Sequence, residues 1–559
     1  MNKELRRTIL GATFFFSCFM LWNQWLIHTG QKPFLSFGQP AQNTAATASA
    51  PASAASLAAQ TQAQVAASGG AAPTDIADAG NAPAPSGEKI QVATDIFNLT
   101  FDTTGGNLVG AKLLKYKQNK SDEPFTLMAD NAQLHYMMQT GLIGGNYPNH
   151  LTPMTLTSTE RALADGQDAL EVRFESAPVG NVKLVKTYTL KRGSYAIGVR
   201  HEVINTGDAP VSVQLYNQLV RDSSDGPDSH QFYSSFTGPA FYSDEDKYQK
   251  IKFSEIDKGS ATYRKDASSG YVAMVQRYFA SALLPEAGTE RENYVRKQDG
   301  LYAAGQIFNL GEIKPGASHT SNTTLFAGPQ QEDIMDALSP DLQAVKDYGW
   351  LTIIARPLYW LLTQLYHLLG NWGWAIVALV VLLKIAFYWF NHKAYTSMAK
   401  MRSLSPKLEQ AKARFKDDPQ ALQQETMRLY REEKVNPLGG CLPVLIQMPV
   451  FFALYSVLSA TVEMRGAPWI LWVKDLSAPD PLYILPILMT ASSLLQVWLN
   501  PKPADPTQAK MMWLMPLSFA FMFFFFPSGL VLYWLTNNLL SIAQQWLINK
   551  QIDSKTAKA

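Results

Sequence analysis

The sequence predicts a multi-pass α-helical membrane protein with a large antiparallel β-sandwich domain between its first and second spans. Three observations lead to this fold class: an apolar segment near the N-terminus, a long region of period-two hydrophobicity, and five further apolar segments in the C-terminal half. The composition agrees, because only 17% of the 559 residues are charged, against roughly 25% in soluble proteins. Six transmembrane helices are therefore expected, five of them in a C-terminal core.

Composition also excludes several functions. A net charge of +2 gives no reason to expect direct nucleic-acid specificity. Cys18 and Cys441 lie far apart in apolar sequence, which rules out a disulfide framework or a cysteine-based metal cluster. The sequence has no GxxxxGK(S/T) motif, so P-loop ATP hydrolysis is not expected. We expect neither a cofactor nor a metal.

The N-terminal region predicts an anchor over 1–28 and a tether over 29–88. Basic residues precede about 20 apolar residues, enough to span a bilayer with the basic end in the cytoplasm. Tryptophans follow where a signal peptide would have a small-residue cleavage site, so we favour an uncleaved anchor over a cleaved signal. Positions 41–88 contain 19 alanines and no aromatic residue, which predicts a flexible segment.

The β-sandwich domain is predicted over 89–335. Apolar and polar residues alternate along 170–175, 197–203 and 211–215, and turn sequences such as 102–106 separate these runs. About 245 residues are ample for an independent core. Because the domain follows an export-oriented anchor, it should lie outside the cytoplasm. Its scattered histidines single out no acid–base site.

The C-terminal half predicts one interfacial helix and five spans. Leucines at helical spacing beside Arg356 and His367 predict an amphipathic helix over 345–369 that lies in the membrane interface, with a spanning helix as the alternative. The predicted spans are short, so they can cross the membrane only if they tilt little or if the bilayer is locally thinned. They are 371–392, 437–462, 481–499, 511–526 and 528–548.

Loop charges set the predicted orientation. The loop 393–436 carries ten basic and six acidic residues, whereas 463–482 carries two basic and three acidic residues. The positive-inside rule therefore places 393–436 in the cytoplasm, together with the loop 500–510 and the tail 549–559. Both termini should then be cytoplasmic.

The loop 393–436 also predicts a helical hairpin. Apolar residues step by three or four along 398–415, Pro406 indicates a restart or kink, and Pro419 begins a second helix that runs to about Lys434. This hairpin is either a docking arm for a cytoplasmic partner or a charged, solvated connector.

Lys384 is the most unusual residue of the spans. It lies near the centre of the second span, roughly 14 Å from either end at 1.5 Å per residue. A central lysine costs about 2.5–3.5 kcal/mol on insertion scales. The assigned apolar segments contain no Asp or Glu, so Lys384 should face a hydrated cavity; snorkelling without function is the alternative.

Other polar residues of the spans could line the same cavity, or could instead form hydrogen bonds between helices. A cavity with one cation and no acidic relay suits neither a proton pump nor, with Ser528 at the far end of the last loop, a Ser–Lys protease. Such a cation could attract acidic or polar peptide groups that enter the membrane. The candidate lining residues are Gln447, Gln496, Asn537, Asn538 and Ser541.

Four long stretches resemble the YidC/Oxa/Alb family of membrane-protein insertases, in its Gram-negative YidC type. They are AYTSMAKMRSLSPKL (394–408), YREEKVNPLGGCLPVLIQMPVF (430–451), DLSAPDPLYILPILM (475–489) and FPSGLVLYWLTNNLL (526–540). The resemblance implies an inner-membrane protein whose β domain is a periplasmic supersandwich related to sugar mutarotases.

The resemblance also implies a mechanism and a set of partners. A hydrophilic groove, open to the cytoplasm and to lipid, would hold a basic residue at the position of Lys384 and contact client at Met522, Tyr533 and Trp534. Nascent membrane proteins would be the clients, alone or with the Sec translocon, and the hairpin would recruit ribosome-bound or targeted chains. The family usually has Arg at 384, and often a hydroxyl-bearing residue at the position of Val380.

Two other functions remain open from the residues. A small-solute transporter often shows two related halves, and this sequence shows no internal repeat. A membrane-anchored periplasmic sugar-binding protein would function through 89–335 alone. The insertase is not expected to be an enzyme.

Overall fold

The computed structural model describes residues 87–118, 121–224, 236–415, 418–432, 442–500 and 506–556. These residues form two compact units. The β unit comprises the described residues up to Pro329 and Ile334–Val345, and the helical unit comprises Gln330–Asp333 and the residues from Lys346 on. The predicted anchor and most of the predicted tether lie outside the described residues.

The β unit consists of two antiparallel sheets of nine strands each, which confirms the predicted sandwich. The strands are β1 Lys89–Ala93, β2 Phe97–Asp102, β3 Asn107–Lys117, β4 Pro124–Asp130, β5 His135–Ile143, β6 Met154–Leu156, β7 Ala169–Ser176, β8 Val182–Lys191, β9 Ala196–Asn205, β10 Val211–Arg221, β11 Gly238–Ser243, β12 Lys247–Lys250, β13 Asp266–Ala267, β14 Tyr271–Val275, β15 Phe279–Pro285, β16 Arg291–Gln298, β17 Leu301–Ile313 and β18 Ser318–Pro329. One sheet has the order β1-β2-β3-β4-β5-β10-β17-β16-β13 and the other β12-β11-β14-β15-β18-β9-β8-β7-β6.

The core of the β unit lies between the two sheets. Along β7, Leu170, Val172 and Phe174 are buried, whereas the residues between them are exposed or half-buried. Phe101 on β2 lies across from this strand, with its ring centroid 5.7 Å from that of Phe174 and 4.7 Å from that of Tyr188. Aromatic contacts of this kind between the sheets close the sandwich.

Ten helices are described, two short ones next to the strands and eight in the C-terminal half. They are α1 Phe253–Asp257, α2 Glu332–Asp336, α3 Thr352–Leu369, α4 Trp372–Ala386, α5 Tyr388–Arg414, α6 Pro419–Glu432, α7 Leu442–Ala460, α8 Ile484–Leu499, α9 Pro506–Phe523 and α10 Ser528–Thr556. Short 3₁₀ turns cover Pro340–Val345, Gly349–Leu351 and Val462–Met464.

Helix α3 is amphipathic, with its two faces packed differently. Leu358 and Leu362 are buried in the core of the helical unit, whereas Ile353 is 88% exposed. The helix ends at Gly370, whose φ of +66° is the left-handed conformation that commonly terminates helices. An exposed apolar face is what a helix in the membrane interface requires.

The segment predicted as the second span is not one straight helix. Helix α4 ends at Ala386, and α5 begins at Tyr388 at an angle of 69° to it, so the predicted range 371–392 contains a break at Phe387. Sequence periodicity did not indicate this break, because apolar residues continue through it and no Pro or Gly lies there.

The cytoplasmic hairpin of the prediction corresponds to parts of α5 and α6. Helix α5 runs through Pro406 without the predicted restart, since a proline removes one backbone donor but does not always end a helix. Helix α6 begins at Pro419, as predicted, because the Asp418 carboxylate accepts hydrogen bonds from the N–H groups of Gln420 and Ala421 at 3.0 Å. Residues 433–441, including Lys434, lie outside the described part of the chain.

Within the described residues, no helix taken singly has both the length and the apolarity of a membrane span. The bent pair Trp372–Ala386 and Tyr388–Met401 meets both criteria together. Three shorter apolar helices are Gln447–Ala460, Ile484–Leu499 and Lys510–Phe523.

Candidate functional site: the cavity around Lys384

An open cavity lies in the helical unit, where α4, α5, α7 and α10 meet. Most of its wall is apolar. Among the described residues that line it, Lys384 alone carries a charge. The lining residues are Val380, Leu383, Lys384, Phe387, Phe390, Asn391, Gln447, Val450, Tyr533 and Asn537.

Helix α4 presents two different faces around Lys384. Val380 and Leu383 line the cavity with it, whereas Leu382 and Ile385 on other faces of the helix are exposed. The Lys384 ammonium donates a hydrogen bond to the Ser541 hydroxyl at 2.6 Å. The cation thus lies at the cavity and is bonded to one uncharged hydroxyl.

A chain of hydrogen bonds connects the polar side of the cavity. The Ser541 hydroxyl donates to the backbone carbonyl of Asn537, one turn earlier on α10, at 2.7 Å. The Asn537 side-chain oxygen accepts a bond of 2.5 Å from the Gln447 amide on α7. Three helices therefore contribute to one polar network that ends at Lys384.

Two of the candidate residues lie elsewhere. The Asn538 amide points to α8, where it donates to the hydroxyls of Ser492 at 3.2 Å and Ser493 at 2.8 Å. Gln496 is half-buried on α8 and is not among the lining residues. For Asn538, the structure supports the alternative role of a hydrogen bond between helices.

The three residues assigned by resemblance lie near one aromatic cluster. Tyr533 is buried and lines the cavity, with its ring 6.2 Å from that of Phe451. Trp534 packs edge-on against Phe451 at 4.6 Å and Phe523 at 4.9 Å. Met522 is partly buried against the same apolar core. An apolar wall therefore continues from the polar network.

Five lining residues were not among the candidates from the sequence: Leu383, Val450, and the three that surround the break between α4 and α5, Phe387, Phe390 and Asn391. The amide-bearing Asn391 follows Lys384 by seven residues, which is two turns of an unbroken helix. That spacing was the available signal. Asn391 was overlooked because it lies at the end of the predicted span, where polar residues are ordinary.

Comparisons with known proteins agree along nearly the whole chain. Residues 89–361 match the family described as YidC periplasmic domain, and 364–555 match the family described as 60Kd inner membrane protein. A membrane protein insertase YidC of Bordetella avium is 49% identical over 99% of this chain and 100% of its own length. One of Cupriavidus taiwanensis is 49% identical over 98% of each chain.

Among solved structures, a crystal structure of an active YidC insertase with its first transmembrane domain resolved covers 82% of this chain and 92% of its own, with 22% identity and a TM-score of 0.39. The class of protein rests on the sequence matches, which define a membrane protein insertase with a periplasmic domain. The chain belongs to the YidC family of inner-membrane insertases.

Proposed function

We propose that this protein inserts client membrane proteins by capturing a polar segment of the client in the cavity around Lys384. The observation that carries the proposal is the single cation in a largely apolar wall, bonded to the neutral hydroxyl of Ser541. An ammonium has three donors, so Lys384 can also bind an acidic or polar peptide group that enters the cavity. The client's apolar helix would then move into lipid past the aromatic cluster of Tyr533 and Trp534.

Two sources of free energy would power this step. Transfer of apolar surface out of water contributes about 25 cal/mol per Å². The membrane potential contributes about 2.3 kcal/mol per elementary charge per 100 mV. Neither source needs a nucleotide, in agreement with the lack of a P-loop motif in the sequence.

The proposed topology has six transmembrane helices, with both termini in the cytoplasm and the β unit in the periplasm. The excess of basic residues in 393–436 supports this orientation. On this topology, the bent pair α4 and α5 extends the second span into the cytoplasmic hairpin. The cavity would then open toward the hairpin side of the membrane.

Partners follow from the same arrangement. Nascent membrane proteins are the proposed clients, and the helical hairpin of α5 and α6 is the proposed arm for ribosomes or targeting factors. The exposed Arg428 on α6 pairs with Glu425 at 2.6 Å, so the helix presents a charged surface to solvent. Cooperation with the Sec translocon is a further part of the proposal.

The test is insertion by purified protein in liposomes, without nucleotide, of a single-span client with an acidic translocated tail. Lys384→Arg should retain activity, because the charge remains. Lys384→Ala should lower the rate, and Lys384→Glu should lower it further, because a carboxylate repels the tail. A client with a neutral tail is the matched control and should respond less.

Two results would contradict the proposal. Equal insertion by the Lys, Ala and Glu proteins, at equal protein levels, would show that the charge is merely tolerated. An absolute requirement for ATP would show that another source of energy drives the step.

A further inference from the structure

A second lysine of the helical unit is buried more deeply than Lys384. Lys346 lies between the 3₁₀ turns that precede α3, and its side chain is 0% exposed. Its ammonium lies 3.9 Å from a carboxylate oxygen of Glu332 and 3.9 Å from one of Glu463. Buried lysines are rare unless they are paired, so this arrangement requires an explanation.

Two tyrosines complete the cluster. The Lys346 ammonium lies 3.7 Å from the centre of the Tyr359 ring and 5.9 Å from that of Tyr348. The Tyr359 hydroxyl donates to Glu463 at 2.8 Å, and the Tyr348 hydroxyl donates to Glu332 at 2.9 Å. Each carboxylate is therefore oriented by one tyrosine and faces the same cation.

The charge of Lys346 depends on these neighbours. Burial lowers the pKa of Lys346, and the carboxylates of Glu463, Glu332 and Asp333 oppose that shift. Removal of the lysine would leave two half-buried carboxylates without this counter-ion. The five residues Glu332, Lys346, Tyr348, Tyr359 and Glu463, here called the outer clamp, thus act as one unit.

The outer clamp joins stretches that are far apart in the sequence. Glu332 begins α2, Tyr359 lies on α3, and Glu463 lies in the 3₁₀ turn that follows α7. The turn continues α7 closely, because the backbone N–H and the hydroxyl of Thr461 both donate to the carbonyl of Val457. The outer clamp therefore fixes one end of α7 against α3.

The other end of α7 forms part of the cavity. Gln447 and Val450 line it, about 20–24 Å from Glu463 at 1.5 Å per residue. Pro449 lies between them and removes one backbone hydrogen bond from the helix. The cavity-lining end of α7 is thus the weaker part of the helix. The position of this end depends on support from the other end, which the outer clamp holds at Glu463.

We propose that Lys346 is a positioning residue for insertion: the outer clamp holds α7 against α3 so that Gln447 and Val450 stay opposite Lys384 while a client is bound. This inference rests on the proposed function of the cavity. Without the clamp, α7 would sample several positions, and the cavity would bind polar client segments more weakly.

The first experiment compares Lys346→Met with Lys297→Met in the full-length protein. Lys297 is a matched control, because it also pairs with an aspartate, Asp257, that accepts a bond from a tyrosine, Tyr302, but its side chain is exposed. Lys346→Met should slow insertion in liposomes several-fold and raise the half-saturating client concentration. Lys297→Met should insert like the unchanged protein.

Spin labels measure the position directly. In a protein whose two native cysteines are replaced by alanine, labels at Ile353 on α3 and at Leu471 in the loop after α7, both exposed, report the distance between these elements. Double electron–electron resonance should give a narrow distribution of label-to-label distances for the unchanged clamp and a broad one for Lys346→Met. Lys346→Arg, which keeps the charge, should restore the narrow distance and the insertion rate.

A neutral clamp separates positioning from stability. In the triple variant Lys346→Met, Glu332→Gln, Glu463→Gln, no charge is left unpaired, so the melting temperature should recover. Positioning by the charges predicts that insertion stays several-fold slow and the distance stays broad. Recovery of insertion together with melting temperature would overturn the proposal, as would a narrow distance or normal insertion in Lys346→Met.

The proposed function can fail separately. Normal insertion by Lys384→Ala would contradict the role of the cavity without any change in the spin-label distance. The role of Lys346 in insertion would then be overturned as well. The spin-label distance would still show whether the outer clamp holds α7 against α3.

Discussion

Lys186 of the β unit and Lys384 of the helical unit use the same side chain in opposite ways. Lys186 on β8 is 0% exposed and donates hydrogen bonds of 2.6 Å to the backbone carbonyls of Gly105 and Thr140, which belong to the facing side of the sandwich. Lys384 on α4 lies at a cavity and donates one bond to the Ser541 hydroxyl.

The difference lies in what surrounds each ammonium. In the sandwich, two fixed carbonyls accept hydrogen bonds from Lys186, and burial lowers the pKa of this group to about 7. In the helical unit, a hydroxyl and open space surround Lys384. A buried lysine that reaches backbone carbonyls stabilises a fold, whereas a lysine at an open cavity retains donors for a ligand.

The largest expected effect comes from the same substitution at both positions. Lys384→Met should lower insertion about ten-fold, the effect of about 1.4 kcal/mol, with little change in stability. Lys186→Met leaves two carbonyls without donors and should destabilise the β unit by about 2–4 kcal/mol. In Lys186→Met, the rate of insertion per folded molecule should stay unchanged. Liposome insertion and urea unfolding measure the two quantities, and a loss of both in either variant would erase the contrast.

Deletion of each region extends the comparison. Removal of 399–434, most of the predicted docking arm, should impair insertion of nascent chains severalfold and leave the rest of the helical unit folded. Removal of most of 89–335 should have a smaller effect, because no described β-unit residue lines the cavity. Co-translational insertion in a depleted strain is the measurement. A more severe loss from the β-unit deletion would contradict the assignment of function to the helical unit.

The sequence predicted the β unit better than the cavity, and the reason is physical. Alternation such as Leu170, Val172 and Phe174 is a local pattern, and it is read directly from a half-buried strand. The central position of Lys384 was also a local signal, because the cost of burying a charge makes it stand out. The strand pattern agrees with the structure, whereas Lys384 lies in the last turn of α4, next to the break at Phe387, and not at the centre of one continuous helix.

The features that the sequence did not predict depend on packing between distant segments. Asn537 and Asn538 are adjacent and chemically identical, yet one faces Gln447 and the other faces Ser493. Only the placement of the neighbouring helices decides which of the two asparagines faces the cavity. The break at Phe387 and the burial of Lys346 arise in the same way, from contacts between segments distant in the sequence.

The third prediction concerns acid stability of the β unit. Burial, with the nearby charge of Lys186, lowers the pKa of His201 to about 3, against 6.5 in the unfolded chain. Between these values the unfolded chain binds more protons, so stability is complete above pH 6.5 and falls with acidification toward pH 3, by about 1.4 kcal/mol per pH unit.

His201→Gln should make that acid dependence shallower, because glutamine does not titrate and can still meet the Thr140 hydroxyl, now 2.9 Å from the His201 ring nitrogen. Pulse proteolysis of the full-length protein in urea, from pH 7 to pH 4, measures the slope. An unchanged slope would show that His201 is not the group that titrates. Insertion at neutral pH should not change.

The smallest effect is expected at Ser541. Ser541→Ala removes the acceptor of the Lys384 ammonium but leaves the charge at the cavity. Insertion should fall by about two- to five-fold, since a hydrogen bond to a charged group contributes about 1.5–3 kcal/mol but solvent in the cavity replaces part of it. Ser492→Ala, on α8 beside Asn538, is the control and should have no such effect. A loss as large as that of Lys384→Met would show that the hydroxyl, and not the cation, is the essential group.

The most direct measurement is whether a client occupies the cavity during insertion. A photo-reactive residue in place of Val450, which lines the cavity, should cross-link to the polar tail of a stalled client, and Lys384→Glu should abolish the cross-link for an acidic tail. The same probe at Lys297, on the exposed surface of the β unit, is the control. Cross-linking at Val450 that is strong and equal with Lys, Ala or Glu at position 384, or its absence in a client that inserts normally, would contradict capture of the client by Lys384.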